Sequence, residues 1–149
     1  MACIRIRVKR KKGFEDLPLP FYATEGASGM DLFAAIENAV VIRPGRWEVV
    51  PTGIYVEIPK GYEGQIRPRS GLAKDHGVTI LNAPGTIDSD YRGEISVILI
   101  NLGEKEFLVR RGDRVAQLVI TPTVRVVFEE VSEISLTKRG EGGFGSTGL

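Results

Sequence analysis

Five short segments combine glycine with charged and hydroxyl side chains, and they interrupt a sequence that is otherwise rich in β-branched residues. They span residues 27–32, 67–73, 85–93, 111–118 and 139–148. Within them, several side chains can donate hydrogen bonds to phosphate oxygens, namely those of Arg69, Ser70, Gln117, Arg139, Ser146 and Thr147. Arginine binds phosphate through a planar fork, and glycine lets backbone amides approach an anion closely. The segments therefore predict a ligand that carries phosphates.

The same segments contain acidic and aromatic side chains that suit the rest of such a ligand. Asp88 and Asp90 are able to activate a water molecule or to hold a cation. Tyr91 and Phe144 are able to stack on a base or to pack on a sugar. Together, these residues indicate a triphosphate with an aromatic head group.

Some of these residues also have purely structural interpretations. Arg-Gly-Asp-Arg at 111–114 is typical of a turn with a surface ion pair, and a loop aspartate such as Asp88 often caps a turn. A triad of Ser70, His76 and Asp88 is conceivable, but the spacing does not support it. His76, at the end of a short predicted helix, is therefore interpreted as structural.

Two common nucleotide-binding motifs are excluded, one by its context and the other because it is absent from the sequence. Residues 140–145 match the glycine fingerprint of dinucleotide-binding folds, which requires a following helix. Only four residues follow this match, too few for that helix. The sequence also contains no P-loop motif of the kind that binds nucleoside triphosphates in NTPases.

Short strands are predicted for most of the chain that positions these segments. The β-branched stretches lie at residues 4–8, 40–42, 47–50, 54–58, 78–81, 95–101, 107–109, 115–120 and 124–128. A short helix is predicted over residues 70–76, with Ser70 as its cap and Gly77 at its end. Many short strands with frequent turns predict an all-β sandwich or jelly roll.

Length and charge limit the classes of function. A chain of 149 residues suffices for one compact domain, and its 20 basic and 19 acidic residues nearly cancel. The balance excludes a strongly basic nucleic-acid binder as a description of the whole chain. The basic run at 9–12 is either a solvated strand end or a weak site for polyanions. One cysteine and one histidine are too few for a disulfide or a Cys/His zinc site.

The chain is expected to form one domain with a terminal extension. Residues 1–138 are expected to form the β domain, and the glycine-rich residues 139–149 are expected to form a flexible lid of that domain. No apolar run approaches the ~20 residues of a membrane helix, and no signal peptide is recognisable. A soluble, cytoplasmic protein without a membrane or a stable nucleic-acid partner is therefore expected.

Taken in order, the five segments resemble the five motifs of the homotrimeric deoxyuridine triphosphatases, or dUTPases. The resemblance extends from residue 27 to residue 148. It implies a β jelly roll and a homotrimer with active sites at the subunit interfaces. In this family, one subunit typically supplies the first, second and fourth motifs and a neighbour supplies the third. The C-terminal tail of the remaining subunit supplies the fifth.

The resemblance also implies the reaction, in which dUTP and water give dUMP and pyrophosphate, with Mg²⁺ carried on the triphosphate. This reaction limits uracil in DNA and supplies dUMP for thymidylate synthesis. Asp88 matches the catalytic aspartate that deprotonates the attacking water. Tyr91 matches the tyrosine that packs on deoxyribose and leaves no space for a 2′-hydroxyl. The hairpin that reads uracil would contain Asn82, Gly85, Thr86 and Ile87.

Phosphate contacts are implied for three of the motifs. The matching residues are Arg69, Ser70, Gly71, Gln117, Arg139, Gly145, Ser146 and Thr147. Phe144 matches the ring that lies over uracil. Asp31 matches a first-motif acid that either contacts the metal through water or holds neighbouring arginines, and no direct protein ligand to magnesium is expected.

Two rival functions remain. A dCTP deaminase-type relative would carry an additional glutamate on the strand after Asp88, whereas residues 95–101 hold no carboxylate. A non-catalytic jelly roll that only binds nucleotide is the alternative from another class, and it would be expected to lose Asp88 or the tail. Hydrolysis of dUTP distinguishes these functions.

Overall fold

The computed structural model describes residues 3–144 and residue 146. In this part of the chain, eleven β-strands and one short α-helix follow one another. The strands are β1 (Arg7–Arg10), β2 (Met30–Phe33), β3 (Val40–Ile42), β4 (Trp47–Pro51), β5 (Ile54–Glu57), β6 (Tyr62–Arg67), β7 (Val78–Ile80), β8 (Gly85–Ile87), β9 (Ser96–Asn101), β10 (Phe107–Val109) and β11 (Arg114–Pro122), and the helix α1 (Ser70–His76) lies between β6 and β7. The predicted fold class, all-β with one short helix, is confirmed.

The strands form antiparallel sheets around one aliphatic core. The largest sheet has the order β2-β11-β6-β8, the next has the order β4-β9-β7, and β1-β5 and β10-β3 form two-stranded ribbons. Along and just before β9, Ile95, Val97 and Leu99 are fully buried, as the alternation of a half-buried strand requires. Truncating Leu99 to alanine at such a site costs about 2–5 kcal/mol of stability.

Most β-branched stretches form the predicted strands, with small shifts of their ends, but β2, β6 and β8 were not predicted. The sequence of β6 contains Gly64 between polar residues, so no apolar alternation is visible. A side chain at Gly64 would come within 3.0–3.2 Å of Leu118, Ile58 and Ile87. The glycine therefore allows the core to pack directly on the backbone of β6.

The prediction of a strand at 124–128 is wrong. We call residues 123–138 the arm, and its described backbone pairs with no other strand. The Thr123 amide donates to the Gly61 carbonyl at 2.9 Å, and the arm then leaves the body of the domain. Its large apolar side chains are exposed, namely Val124, Val126, Val127, Phe128, Val131, Ile134 and Leu136. Strand formation failed here because β-branched residues need a neighbouring strand on which to pack.

The helix lies over the predicted residues, but its cap differs from the prediction. Arg69 occupies the N-cap position with extended backbone and no side-chain cap, and Ser70 is the first helical residue. Gly77 ends the helix in the left-handed region with φ of 68°, and its amide bonds to the carbonyls of the last turn. Among the described residues, no helix is long and apolar enough to cross a bilayer.

Candidate active site

A cleft of about 300 Å³ opens between β8, β9 and the loop that joins them. Its lining includes the predicted residues Asn82, Gly85, Thr86, Ile87, Asp88 and Tyr91. Val49, Ile66 and Ile98 supply an apolar wall. The structure therefore brings the predicted catalytic aspartate and most of the predicted uracil and sugar residues into one cavity.

The apolar wall of the cleft continues along β4. Val49 pairs with Ile98 in the sheet, and both side chains line the cleft. Trp47, the only tryptophan of the chain, precedes Val49 by two residues and therefore lies on the same face of β4. Both Trp47 and Val49 are exposed, so this face of the strand is open.

Gly85 packs closely against Asn82, and both residues line the cleft. Gly85 is buried opposite Ile66, its register partner in β6. A side chain at Gly85 would come within 3.2 Å of both the Asn82 amide nitrogen and Ile66 Cβ. A side chain at position 85 would therefore require the Asn82 amide or Ile66 to shift by a few tenths of an ångström.

Asp88 lies at the mouth of the cleft, directly after β8. The strand ends at Ile87, and the Asp88 carbonyl accepts a hydrogen bond from the Tyr91 amide at 3.1 Å. This turn leaves the Asp88 side chain exposed. The carboxylate forms no ion pair with any residue that the structure describes. It is therefore free to accept a proton from a water molecule in the cleft.

Tyr91 forms another side of the same cleft, with 43% of its surface exposed. Its hydroxyl donates to the Glu94 carbonyl at 3.0 Å. Arg92 closes the turn, because its Nη1 donates to the carbonyls of Ser89 and Tyr91 at 2.8 and 2.9 Å. The phenol is thus held at its oxygen while part of the ring stays accessible.

A second group of predicted residues surrounds Asp31 on β2. Asp31 is only 6% exposed, and its two carboxylate oxygens accept from Arg69 Nε at 3.1 Å and from Arg114 Nη1 at 3.2 Å. Arg69 Nη1 also donates to the Arg114 carbonyl at 3.2 Å. A buried carboxylate needs such hydrogen-bonded cations. The arrangement fixes two guanidinium groups side by side.

The predicted phosphate residues Gln117, Ser70 and Gly71 lie beside this ion cluster. Gln117 on β11 is the register partner of Asp31 in β2, and its side chain covers Gly29 closely. Ser70 and Gly71 follow Arg69 directly at the exposed start of α1. This part of the sheet therefore gathers donors for an anion around Arg69.

One copy of the chain does not join these two groups. Ile87, just before Asp88, pairs with Gly64, whereas Arg69 follows the opposite end of β6 at Arg67. At ~3.3 Å per strand residue, Gly64 and Arg67 are roughly 10 Å apart. The cleft lining contains Asp88 and, within the described residues, none of the phosphate donors around Arg69. We call the two groups the cleft half-site and the arginine half-site.

The tail residues lie apart from both half-sites. Arg139 Nε donates to a carbonyl within the tail at 2.7 Å, and the Ser146 amide also bonds within the tail. Phe144 is fully exposed, with a left-handed φ of 50°. Gly145 and Thr147, which are also predicted to contact phosphate, lie outside the described residues.

Sequence reasoning missed Glu94 and gave Arg114 a different role. Glu94 lines the cleft and pairs with Lys11, which is too distant in sequence for any local pattern to indicate the contact. Arg114 was interpreted only as part of a turn with a surface ion pair, whereas its partner is the buried Asp31. His76 packs against the Phe107 ring at 5.1 Å, away from the cleft lining.

Comparison with known proteins identifies the family. Residues 15–148 match the dUTPase family model. The deoxyuridine 5'-triphosphate nucleotidohydrolase of Hydrogenobaculum sp. (strain Y04AAS1) is 60% identical over 139 residues, covering 93% of this chain and 96% of that protein. The protein of the same name from Caldanaerobacter subterraneus subsp. tengcongensis is 54% identical over 146 residues, covering 98% and 99%. The chain belongs to the dUTPase family.

A solved structure agrees with this fold. The dUTPase of Staphylococcus bacteriophage 80alpha with dUPNHPP superposes with a TM-score of 0.83 at 28% sequence identity. The superposition covers 97% of this chain and 99% of the phage chain. The likeness therefore includes the whole β domain and not one motif alone.

Proposed function

We propose that the chain hydrolyses dUTP to dUMP and pyrophosphate and so acts as a dUTP diphosphatase. The observation that carries this proposal is the exposed, unpaired Asp88 carboxylate at the mouth of a cleft formed by the predicted uracil hairpin. Membership of the dUTPase family and relatives of 54–60% identity that bear this enzyme name support the same activity. The reaction limits uracil in DNA and supplies dUMP for thymidylate synthesis.

Asp88 acts as the general base. It accepts a proton from a water molecule, and the water oxygen forms a bond to the α-phosphorus of dUTP. The bond from that phosphorus to the bridging oxygen breaks, and pyrophosphate leaves with the electron pair. A positioned base of this kind contributes about 10²–10⁴-fold to the rate.

The cleft half-site binds the nucleoside. The hairpin at Asn82 and Gly85–Ile87 reads uracil through its main chain and the Asn82 amide. Tyr91 packs against deoxyribose, so a 2′-hydroxyl would collide with the ring. Supporting this assignment, Asn82, Tyr91 and Asp88 line one cavity, as neighbouring positions for the base, the sugar and the attacking water require.

The arginine half-site and the tail bind the phosphates. We assign this role to Arg69, Ser70, Gly71, Gln117, Arg139, Gly145, Ser146 and Thr147, with Phe144 over the uracil. Arg69 is well suited because Asp31 orients it without covering all of its donors. The double pairing of Asp31 favours its role in holding arginines over a contact with the metal.

Magnesium enters with the substrate as Mg·dUTP. Mg²⁺ binds phosphate oxygens readily and keeps most of its waters, so a triphosphate provides the ligands that it prefers. The bound ion neutralises charge on the phosphates during transfer. The chain's own contribution is the set of arginine, hydroxyl and amide donors that surround those phosphates.

We propose that the chain assembles as a homotrimer with shared sites. Two observations support this. The cleft half-site and the arginine half-site are separate within one copy, which is the arrangement that a site shared between copies requires. The arm presents a row of exposed apolar side chains, which is the surface expected of a protein–protein contact.

The test is pyrophosphate release from dUTP by the wild-type protein and by Asp88→Asn. The variant should bind a non-hydrolysable dUTP analogue normally but turn over dUTP about 10²–10⁴-fold more slowly. Asp90→Asn, an exposed acid two residues away, is the matched control and should retain most of the activity. Ammonia release from dCTP would indicate a deaminase, and nucleotide binding without pyrophosphate release would indicate a non-catalytic protein.

A further inference from the structure

The Tyr91 phenol occupies space that exists only because residue 93 is glycine. A methyl carbon at Gly93 would fall on the phenol, 2.5 Å from Cζ and 2.9 Å from Cε2. Carbon atoms do not approach each other this closely without displacement. Any side chain at position 93 therefore has to push the Tyr91 ring away from its observed place in the cleft.

Glu94, which accepts the hydrogen bond of this phenol, is held in place by two residues that do not line the cleft. Tyr91 Oη donates to the Glu94 carbonyl, and the Glu94 side chain is only 17% exposed. The carboxylate accepts from Lys11 Nζ at 2.8 Å and from the Gly53 amide at 3.1 Å. Hydrogen bonding to Glu94 raises the pKa of Lys11 above its usual value, so the ammonium is charged at neutral pH.

Lys11 is itself attached to the body of the domain. Its amide donates to the Gly53 carbonyl at 2.8 Å, so Lys11 and Glu94 both form hydrogen bonds with the backbone of Gly53. The Ile95 amide donates to the Ile54 carbonyl at 2.9 Å, which ties the segment after Glu94 to β5. Three separate parts of the chain thus converge behind one aromatic ring of the cleft.

We infer that Gly93 and the Lys11–Glu94 ion pair are positioning residues that seat Tyr91 and thereby set the discrimination between deoxyribose and ribose nucleotides. The inference rests on the proposed function, since it concerns the sugar site of that reaction. It also assigns a role to one lysine of the basic run at 9–12, in place of a solvated strand end or a polyanion site.

The physical basis is that a side chain excludes a 2′-hydroxyl by steric contact only if that side chain is held rigidly. An exposed aromatic ring rejects a 2′-hydroxyl only while the ring cannot yield, because a ring free to rotate accommodates the extra oxygen at little cost. Gly93 lets the phenol end of the ring lie directly against the turn, and the Glu94 carbonyl holds its hydroxyl. Lys11 and the Gly53 amide in turn hold Glu94, so the ring is fixed before substrate arrives.

The experiment compares kcat/KM for dUTP and for UTP in three variants, together with the binding of dUMP and UMP by calorimetry. Gly93→Ala displaces the ring and should lower kcat/KM for dUTP about 10²-fold, since misplacements of about 1 Å have effects of this size. The kcat/KM for UTP should change far less, so the ratio of kcat/KM for dUTP to kcat/KM for UTP should fall. Lys11→Met and Glu94→Gln remove one charged hydrogen bond and should narrow the ratio roughly 2–10-fold.

Matched controls separate positioning from general destabilisation. Lys12→Met removes the adjacent exposed lysine and should leave the ratio unchanged. Gly26→Ala adds a methyl group where no atom lies within 4 Å, and it should also leave the ratio unchanged. Lys11→Arg keeps the positive charge and should restore most of the discrimination lost in Lys11→Met.

The possible outcomes distinguish this inference from the proposed function. Wild-type protein that releases no pyrophosphate from dUTP contradicts the function itself. Wild-type activity with unchanged dUTP/UTP ratios in Lys11→Met and Glu94→Gln overturns the inference alone, even where Gly93→Ala fails to fold. Equal loss of dUMP and UMP binding in these variants would assign the residues a purely structural role and would also overturn it.

Discussion

The strand β11 and the arm that follows it are both rich in valine and isoleucine but have opposite surroundings. In β11, Val115 and Leu118 are buried between β2 and β6, which pair with this strand on both sides. In the arm, Val127 is 97% exposed and no described strand lies beside it. Both segments are rich in valine and isoleucine, so β-branched residues alone do not produce a paired strand; a neighbouring strand is also needed.

This contrast shows which part of a single copy covers its own apolar side chains and which part leaves them exposed. The body encloses its core and forms the cleft from residues of one copy. The arm exposes apolar surface that a single copy leaves uncovered, and exposed surface of this kind is costly in water. We have proposed that the arm contacts other copies and that the tail contacts substrate, and the following predictions test that proposal.

Deleting residues 141–149 should strongly reduce activity and should leave the body intact. None of the residues that the structure describes in this segment belongs to the core, so the midpoint of thermal unfolding should stay near that of the wild type. Loss of the donors around Ser146 should lower kcat for dUTP by about 10²–10³-fold, the effect of removing one well-placed phosphate donor. A truncated protein with wild-type turnover would make the tail a passive end.

Mixing two inactive variants should restore activity if the sites are shared. Asp88→Asn supplies intact tails, and the truncated protein supplies an intact Asp88. After the two variants are refolded together in equal amounts, about a quarter of the sites should contain both an intact Asp88 and an intact tail. This fraction follows because the two parts come from different subunits of a symmetric assembly, and each is intact in half of the subunits. Absence of any recovery, with mixed assemblies demonstrated by differential tagging, would contradict shared sites.

Polar substitutions in the arm should weaken assembly without harming the body. Phe128→Ser and Leu136→Ser together remove two fully exposed apolar side chains, so the core loses nothing. Sedimentation should show smaller species than the wild-type assembly. Leu102→Ser, another exposed leucine but on the body, is the control and should sediment like the wild type.

The smallest effect is expected from an ion pair on the body. The Arg111 guanidinium beside Asp16 lowers the pKa of that carboxyl below its usual 3.8. Because the folded-state pKa is depressed, the pair stabilises the fold above about pH 3.8, and this contribution disappears as pH falls through the folded-state pKa.

The thermal midpoints of the wild type and Asp16→Asn measure this contribution. Asp16→Asn should unfold at a slightly lower temperature at neutral pH, and the difference should shrink as pH falls below 3.8. Glu104→Gln, which removes an exposed acid in a turn, is the matched charge control measured alongside it. A difference that grows as pH falls would contradict the assigned sign.

The sequence was most informative where apolar alternation is strong or where a functional motif is short and local. It predicted the β class, the strands around Leu99 and the position of the helix, because each depends on neighbouring residues. It missed β6, since Gly64 replaces the apolar side chain that would mark the strand. It predicted a strand in the arm, since periodicity does not reveal whether a partner strand exists.

The site shows the same limit. The motif residues of the cleft were predictable because they follow one another within the hairpin and its loop. The Lys11–Glu94 contact and the pairing of Arg114 with Asp31 were not, because both join residues more than eighty positions apart. Such contacts depend on strand register, which a single sequence with no apolar pattern at those positions does not determine.

The open face of β4 gives this protein an intrinsic optical reporter. Trp47 is the only indole in the chain, so its fluorescence comes from a single position. It lies one strand repeat from Val49 in the cleft wall, close enough for a bound nucleobase or a neighbouring copy to change its emission. Titration with dUMP at a fixed protein concentration, and dilution without nucleotide, would separate these two signals without any added dye.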